Sequence, residues 1–226
     1  MDETETLAAE TPAPRREPFF NAPWTIVALC LGLIALYSVQ SVTNPDAWIE
    51  RYGLSREQLV GGRWATLLTC MFVHIGWMHV LSNAAVAFAF GPPVARLMGT
   101  GPRGSVVFFA FYLVCGVIGG LGLVAMDADP RDLSVGASGA ISGLLGGAVR
   151  LIDRRGLVGP LWSRTAIIFT AVWLVINYVV GAFGLTPGAI GIPVAWQAHM
   201  AGFLAGLLLI GPFARLAGRG HEAFTH

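Results

Sequence analysis

Hydrophobic and polar positions alternate in long blocks along the 226-residue chain, and the hydrophobic blocks define its elements. The apolar stretches cover about 23–42, 77–96, 104–126, 138–150, 165–184 and 194–211. A helix of about 20 apolar residues is long enough to cross a bilayer, and most of these stretches approach or exceed that length. The pattern therefore predicts an all-α, polytopic membrane protein with six transmembrane helices.

The fourth apolar stretch is short and starts at a serine. Arg150 closes it 12 residues after Ser138, a helical distance of about 18 Å against about 30 Å for a bilayer core. If Arg150 marks one membrane boundary, Ser138 lies about 10 Å below the opposite surface. Polar side chains are costly at such depth, so this hydroxyl, between Gly136 and Gly139, is a candidate for function.

Two histidines are predicted to reach the level of Ser138. His79 lies 12 residues before Gly91, where two following prolines are expected to end the second helix. His199 lies 12 residues before Gly211, which also precedes a proline. Since equal helical lengths span equal heights, the three polar groups should converge at one depth.

Small residues suggest how the helices that carry these groups approach each other. Glycines recur at every fourth position in the fourth and sixth stretches, and such strips allow close helix packing. They are Gly139, Gly143 and Gly147, then Gly202 and Gly206. We expect this packing to bring Ser138 within hydrogen-bond reach of His199.

The residues gathered at this level allow acyl-transfer chemistry. A serine hydroxyl needs an adjacent base to become nucleophilic, and His199 is the one histidine in the later apolar stretches. Backbone amides at the start of the fourth helix, that of Ser138 included, favour a developing oxyanion. His79 and Asn83 share a helix face and can add side-chain donors. No Asp or Glu lies in the later apolar stretches, which leaves a Ser-His dyad.

The composition argues against several other classes of function. Charged residues make up 12% of the chain, the 14 basic residues are all Arg, and no basic stripe suggests nucleic-acid binding. The three cysteines, Cys30, Cys70 and Cys115, lie in apolar surroundings and favour buried positions over a disulfide framework or metal site. His74 and His79 are five residues apart with no flanking carboxylate, so we expect no metal and no cofactor.

Arginine distribution predicts the orientation in the membrane. With an internal N-terminus, ten arginines fall on the inner side and four on the outer side, so both termini should be cytoplasmic. The predicted organisation is a disordered cytoplasmic tail over 1–22, a membrane domain over 23–211 and a cytoplasmic tail over 212–226. The long 43–76 segment, on the outer side with 127–137, should fold partly within the interface; three tryptophans are its predicted anchors, namely Trp48, Trp64 and Trp77.

Three motifs carry a family resemblance that covers roughly residues 58 to 211. They are Phe72-Val-His-Ile-Gly-Trp-Met-His-Val-Leu-Ser-Asn83, Gly136-Ala-Ser-Gly139 and Ala198-His-Met-Ala-Gly-Phe-Leu-Ala-Gly206. In order and spacing they resemble the rhomboid intramembrane serine proteases of the bacterial, six-helix type. The resemblance implies an integral protein of the bacterial inner membrane that cleaves transmembrane segments of membrane-protein substrates.

The resemblance also implies roles for individual residues. Ser138 would be the nucleophile and His199 the general base, while His79, Asn83 and the Ser138 backbone amide would form the oxyanion hole. Gly136, Gly139 and His74 would be supporting residues, with His74 tying down the outer loop. The 43–76 segment would match the family's membrane-associated first loop, and 165–184 its lateral gate.

Two positions depart from the family pattern. Many members have a Trp-Arg pair in the first loop, whereas here Arg63 precedes Trp64. Members often have an aromatic residue four positions after the nucleophile, packed on the catalytic histidine, whereas this chain has Ser142. We therefore expect His199 to depend on other contacts for its orientation.

Two non-protease readings compete with this one. A catalytically inactive rhomboid-like scaffold or substrate-escort protein would be expected to lack the serine or the histidine, and both are present. A small transporter would be expected to show internal repeats with broken helices in both halves, and the sequence shows no convincing self-similarity.

Overall fold

The computed structural model describes residues 22–126, 129–154, 156–184 and 195–219. Five helices are long and apolar enough to cross a membrane: α1 (Trp24–Val42), α5 (Trp77–Met98), α6 (Pro102–Met126), α8 (Arg164–Ala182) and α9 (Trp196–Leu216). A shorter apolar helix, α7 (Ser138–Val149), lies among them. The prediction of an all-α, polytopic membrane protein is confirmed. The predicted N-terminal tail, 1–22, lies outside the described residues except for its last position, and so does the chain after 219.

The segment between α1 and α5 is folded, as predicted. It contains the short helices α2 (Pro45–Tyr52), α3 (Arg56–Val60) and α4 (Thr66–Thr69), followed by a 3-10 turn over Cys70–Phe72. Asn44 caps α2 and Ser55 caps α3 through side-chain oxygens that accept backbone N–H bonds. These caps explain why a polar stretch between two spans forms helices rather than an open loop.

The same segment is fastened to the chain that leads into α7. Leu54 and Ser134 exchange two backbone hydrogen bonds of 2.9 and 2.8 Å. The Gly136 N–H donates to the Cys70 carbonyl at 2.9 Å, and Arg56 donates twice to the Val124 carbonyl near the end of α6. The residues that precede Ser138 are therefore held in place by the folded outer segment.

Two helices continue through prolines that were expected to end them. Helix α5 runs past Pro92 and Pro93 to Met98, and α9 runs past Pro212 to Leu216. Both predicted ends were wrong. Each proline removes one backbone donor, but a membrane helix tolerates this loss when neighbouring groups satisfy the freed carbonyl. Arg150 donates to the Leu207 carbonyl at 2.8 Å, one residue before Leu208, whose carbonyl loses its helical donor at Pro212.

Helix α7 is the centre of the bundle. Every residue of α7 after Ser138 is buried, and α6, α9 and α5 pack around it. The glycine strips form the contact with α9, because a Cβ at Gly202 would overlap the Gly139 carbonyl oxygen and one at Gly206 that of Gly143. Gly146 also faces α9, and Gly147 lies where α5, α6 and α9 meet, because a Cβ there would come within 3.2 Å of Phe111, 3.3 Å of Ile210 and 3.4 Å of Val94.

Helix α8 lies at the periphery. In its most hydrophobic window 17% of the residues are buried inside the protein, against 39–44% for the other four long helices. Its buried residues are Ala166, Asn177 and Gly181. The position of α8 therefore depends on few contacts, and one of them is polar.

Candidate active site

Ser138 and His199 meet across the packed faces of α7 and α9. The Ser138 Oγ lies 2.7 Å from the His199 Nε2, a hydrogen bond between groups 61 residues apart. Both residues are partly exposed. The structure thus brings together the two side chains that the sequence places at one depth, although the proline-defined helix ends used to count that depth were wrong.

A third polar group, Asn177 of α8, completes the contact. The His199 Nδ1 lies 2.9 Å from the Asn177 Oδ1. An amide oxygen accepts hydrogen bonds and cannot donate, so Nδ1 carries the ring proton and Nε2 is the acceptor for the Ser138 hydroxyl. This tautomer is the one that a serine general base requires.

The sequence prediction missed Asn177. The later apolar stretches contain no carboxylate that could act as a third catalytic residue, so the sequence predicted a Ser-His dyad. A signal was present, because Asn177 stands alone as an amide in an otherwise apolar span, and such a group is costly in a membrane unless it has a partner. Helix α8 turns it toward α9, where His199 supplies that partner.

The region in front of Ser138 is shaped by Gly136 and His79. Gly136 has φ +124°, a backbone conformation that side-chain-bearing residues rarely adopt, and a Cβ there would lie 2.7 Å from the His79 ring. The imidazole of His79 therefore packs on the backbone two residues before Ser138. Because α7 begins at Ser138, its first amides have no acceptor within the helix and its positive dipole end points into this region.

Asn83 lies one turn after His79 and is buried. Its Nδ2 donates to the His79 carbonyl at 3.0 Å, which uses one of the two amide hydrogens. The shared helix face expected for the two residues is present, and their part in an oxyanion hole stays a prediction.

His74 ties the outer segment to α1 through its backbone and not through its ring. Gln40 of α1 donates to the His74 carbonyl at 2.7 Å and accepts from the His74 N–H at 3.1 Å. The ring is fully buried, packs edge-on against His79 at 5.1 Å between ring centres, and has no hydrogen-bond partner among the described residues. Burial, helped by the nearby His79, lowers the pKa of His74 to about 3 and keeps the ring neutral.

The two departures from the family pattern have distinct outcomes. Arg63 donates to the Arg51 carbonyl within the outer segment, while Arg56 makes the contact with α6. Ser142 is buried one turn after Ser138 and offers no aromatic surface to His199. The orientation of His199 instead comes from Asn177.

Comparison with known proteins finds similar rhomboid proteins in several organisms. The chain is 29% identical over 153 residues to the rhomboid protein YdcA of Bacillus subtilis (strain 168), covering 67% of this chain and 68% of that one. It is 29% identical over 148 residues to Rhomboid protease GluP of the same organism, covering 64% and 28%. It is 25% identical over 184 residues to Rhomboid protease GlpG of Serratia proteamaculans (strain 568), covering 81% and 59%.

The chain therefore spans less than two thirds of GluP and of GlpG. A family model described as the Rhomboid domain matches residues 61–215, which is more than half of the chain and contains α4 to α9 except the last residue of α9. This integral, multi-pass membrane protein belongs to the rhomboid family.

Proposed function

We propose that this protein is an intramembrane serine protease in which Ser138 is the nucleophile and His199 the general base. Rhomboid family membership implies intramembrane protease activity. The observation that carries the residue assignment is the 2.7 Å contact between Ser138 Oγ and His199 Nε2. Its substrates are transmembrane segments of other membrane proteins, which reach the site within the lipid bilayer.

The reaction proceeds through an acyl-enzyme. The Ser138 oxygen attacks the scissile carbonyl carbon while its proton passes to His199 Nε2. The imidazolium then gives that proton to the leaving amine, and the peptide C–N bond breaks. Water, activated by the same Nε2, attacks the ester carbonyl and releases the acid product, with the proton returned to Ser138 Oγ.

The oxyanion formed in each step needs donors beside Ser138. We assign these to the Ser138 amide, His79 and Asn83, because the amide opens α7 and the His79 ring packs on Gly136 next to it. Water enters from the outer side, in keeping with the partial exposure of both Ser138 and His199. In this orientation the Arg150 end of the bundle and both termini face the cytoplasm. The membrane in which the protein resides is the bacterial inner membrane.

The assignment is tested with purified protein in detergent and a model transmembrane substrate. Ser138→Ala and His199→Ala are expected to abolish cleavage without lowering the unfolding temperature, since each removes a reacting group. Ser142→Ala is the matched control, because Ser142 is a buried serine one turn along the same helix, and it should keep near-normal activity.

A second measurement separates the competing function. A fluorophosphonate should label wild-type protein at Ser138 and leave Ser138→Ala unlabelled. Cleavage by Ser138→Ala, or labelling at another serine, would show that the nucleophile is misassigned. A wild-type protein that neither cleaves nor labels would favour the catalytically inactive scaffold or substrate-escort reading.

A further inference from the structure

Helix α8 brings one polar side chain to the Ser138–His199 pair. Asn177 is 7% exposed, whereas the two residues before it, Val175 and Ile176, are 62% and 50% exposed. A buried amide in an apolar span is unfavourable unless its polar atoms are hydrogen-bonded. The side chain of Asn177 therefore needs the partners that the structure gives it.

Those partners fix which way the amide points. The Asn177 Nδ2 donates to the Trp173 carbonyl one turn earlier in α8, at 3.3 Å. This bond directs the Oδ1 toward α9, where it accepts from the His199 Nδ1–H at 2.9 Å. A rotated amide would place its oxygen against the Trp173 carbonyl oxygen, and the bond to that carbonyl would be lost.

The contact lies within a registered seam between α8 and α9. Three residues of α8 that are spaced four apart face three residues of α9. The pairs are Trp173 stacked on Phe203, Asn177 bonded to His199, and Gly181 against Trp196. A Cβ at Gly181 would come within 2.5 Å of the Trp196 Cβ, so the glycine permits the close approach. The neighbouring contacts thus hold Asn177 at the height of His199.

We propose that Asn177 is a positioning residue for the reaction. It holds His199 in the Nδ1–H tautomer and fixes the plane of the ring. In the family resemblance, an aromatic residue at the position of Ser142 packs on the ring and so fixes its plane. When His199 takes the Ser138 proton on Nε2, the Nδ1–H stays in place and its bond to the Asn177 oxygen becomes charge-assisted. The inference rests on the proposed serine-protease function.

The test uses the full-length protein in detergent with a fluorogenic transmembrane substrate, and it measures kcat and KM separately. Asn177→Leu keeps the branched shape of the side chain, with larger methyl ends, but removes the acceptor, and it should lower kcat by about 10- to 100-fold with KM changed by less than about 3-fold. Asn177→Asp restores an acceptor oxygen and should return kcat to within about 5-fold of wild type. Val175→Ala, on the exposed face of α8, is the matched control and should leave both constants near wild type.

A loss confined to KM, a kcat of Asn177→Leu within about 2-fold of wild type, or an Asn177→Asp variant as inactive as Asn177→Leu would each overturn the proposal. Thermal unfolding of every variant identifies any that fail to fold. The proposal stays testable in that case, because the wild-type protein alone carries a second readout.

That readout is the tautomer of His199, measured by nuclear magnetic resonance of protein with ¹⁵N-labelled histidine. Wild-type protein should show a protonated Nδ1 and an unprotonated Nε2, and Ser138→Ala should show the same state. An Nε2–H tautomer in wild type would overturn the proposal whatever the variants do. Because the measurement needs no turnover, an inactive wild-type protein with the Nδ1–H tautomer would reject the proposed function and with it the positioning role, and would support only the hydrogen bond from His199 Nδ1–H to Asn177.

Discussion

The two seams along α9 are built in different ways. Toward α7, backbone meets backbone at Gly139 with Gly202 and at Gly143 with Gly206, without space for a Cβ. Toward α8, the contacts come mostly from side chains, as in the stack of Trp173 on Phe203 at 6.0 Å between ring centres. Helix α7 is buried along its length after Ser138, whereas α8 is the least buried of the long helices.

This difference separates two requirements of the site. The Ser138–His199 distance depends on the glycine seam, which has no rotatable side chain and so allows one spacing. The contact that orients the His199 ring lies in the side-chain seam, which buries few residues of α8. The reacting pair is therefore held rigidly, while the group that orients the base sits on a helix that few contacts retain.

The largest expected effect comes from obstructing the glycine seam. Gly206→Ala places a methyl group on the Gly143 carbonyl oxygen, and the backbones cannot separate without disturbing α7. We expect the free energy of unfolding to fall by about 3 kcal/mol, measured by thermal unfolding in detergent, with loss of cleavage.

Gly32→Ala is the control, because a Cβ at Gly32 of α1 meets nothing within 4 Å. Alanine is the better helix former, so this variant should gain up to about 1 kcal/mol. Equal stability of the two variants would show that the glycine seam between α7 and α9 is not tightly packed, and it would contradict the contrast with the α8–α9 seam.

A smaller effect is expected from the same substitution in the other seam. Gly181→Ala brings a methyl group against Trp196, but α8 can shift outward because its remaining contacts are few. We expect a loss of about 1 kcal/mol, together with a lower kcat because Asn177 lies one turn away. A loss as large as that of Gly206→Ala would contradict the contrast between the seams.

The smallest effect concerns the start of α8. The exposed carboxylate of Asp153 accepts hydrogen bonds from the side chains of Thr165 and Ser163, which lower its pKa. A group whose folded pKa is depressed stabilises the fold above its unfolded pKa, near 4, and loses that contribution as pH falls further.

Asp153→Asn should therefore lower the unfolding temperature slightly at pH 7, and the difference from wild type should vanish as pH falls below about 4. Solvent screening keeps the effect small. A difference that persists or grows at low pH would show that these contacts do not act through the charge of the carboxylate. Unfolding temperatures of both proteins across this pH range provide the measurement.

Much of the architecture could be predicted from residue pattern alone. Apolar length identified the spans, and the early Arg150 identified α7 as short, because both follow from local composition. The helix ends at Pro92 and Pro212 were wrong because a proline's effect depends on whether neighbouring helices satisfy the carbonyls it frees.

The candidate site shows the same division. Ser138 and His199 could be found because each is a polar residue of a recognisable motif within an apolar stretch. Asn177 could not be assigned a role, since spacing along α8 does not say which neighbour that helix faces. The role of Gln40 could not be predicted either, because its partner is the backbone of His74, and a backbone contact leaves no signal in the residue types.

The sequence by itself determined which segments are helical and apolar, and which hydroxyl and imidazole belong to the candidate site, because hydropathy and motif residues are properties of the chain. The tertiary structure decided how near those groups come, which tautomer the imidazole adopts and which helix orients it. Those outcomes depend on the rotation and separation of whole helices, which many residues set jointly through packing and no single residue encodes.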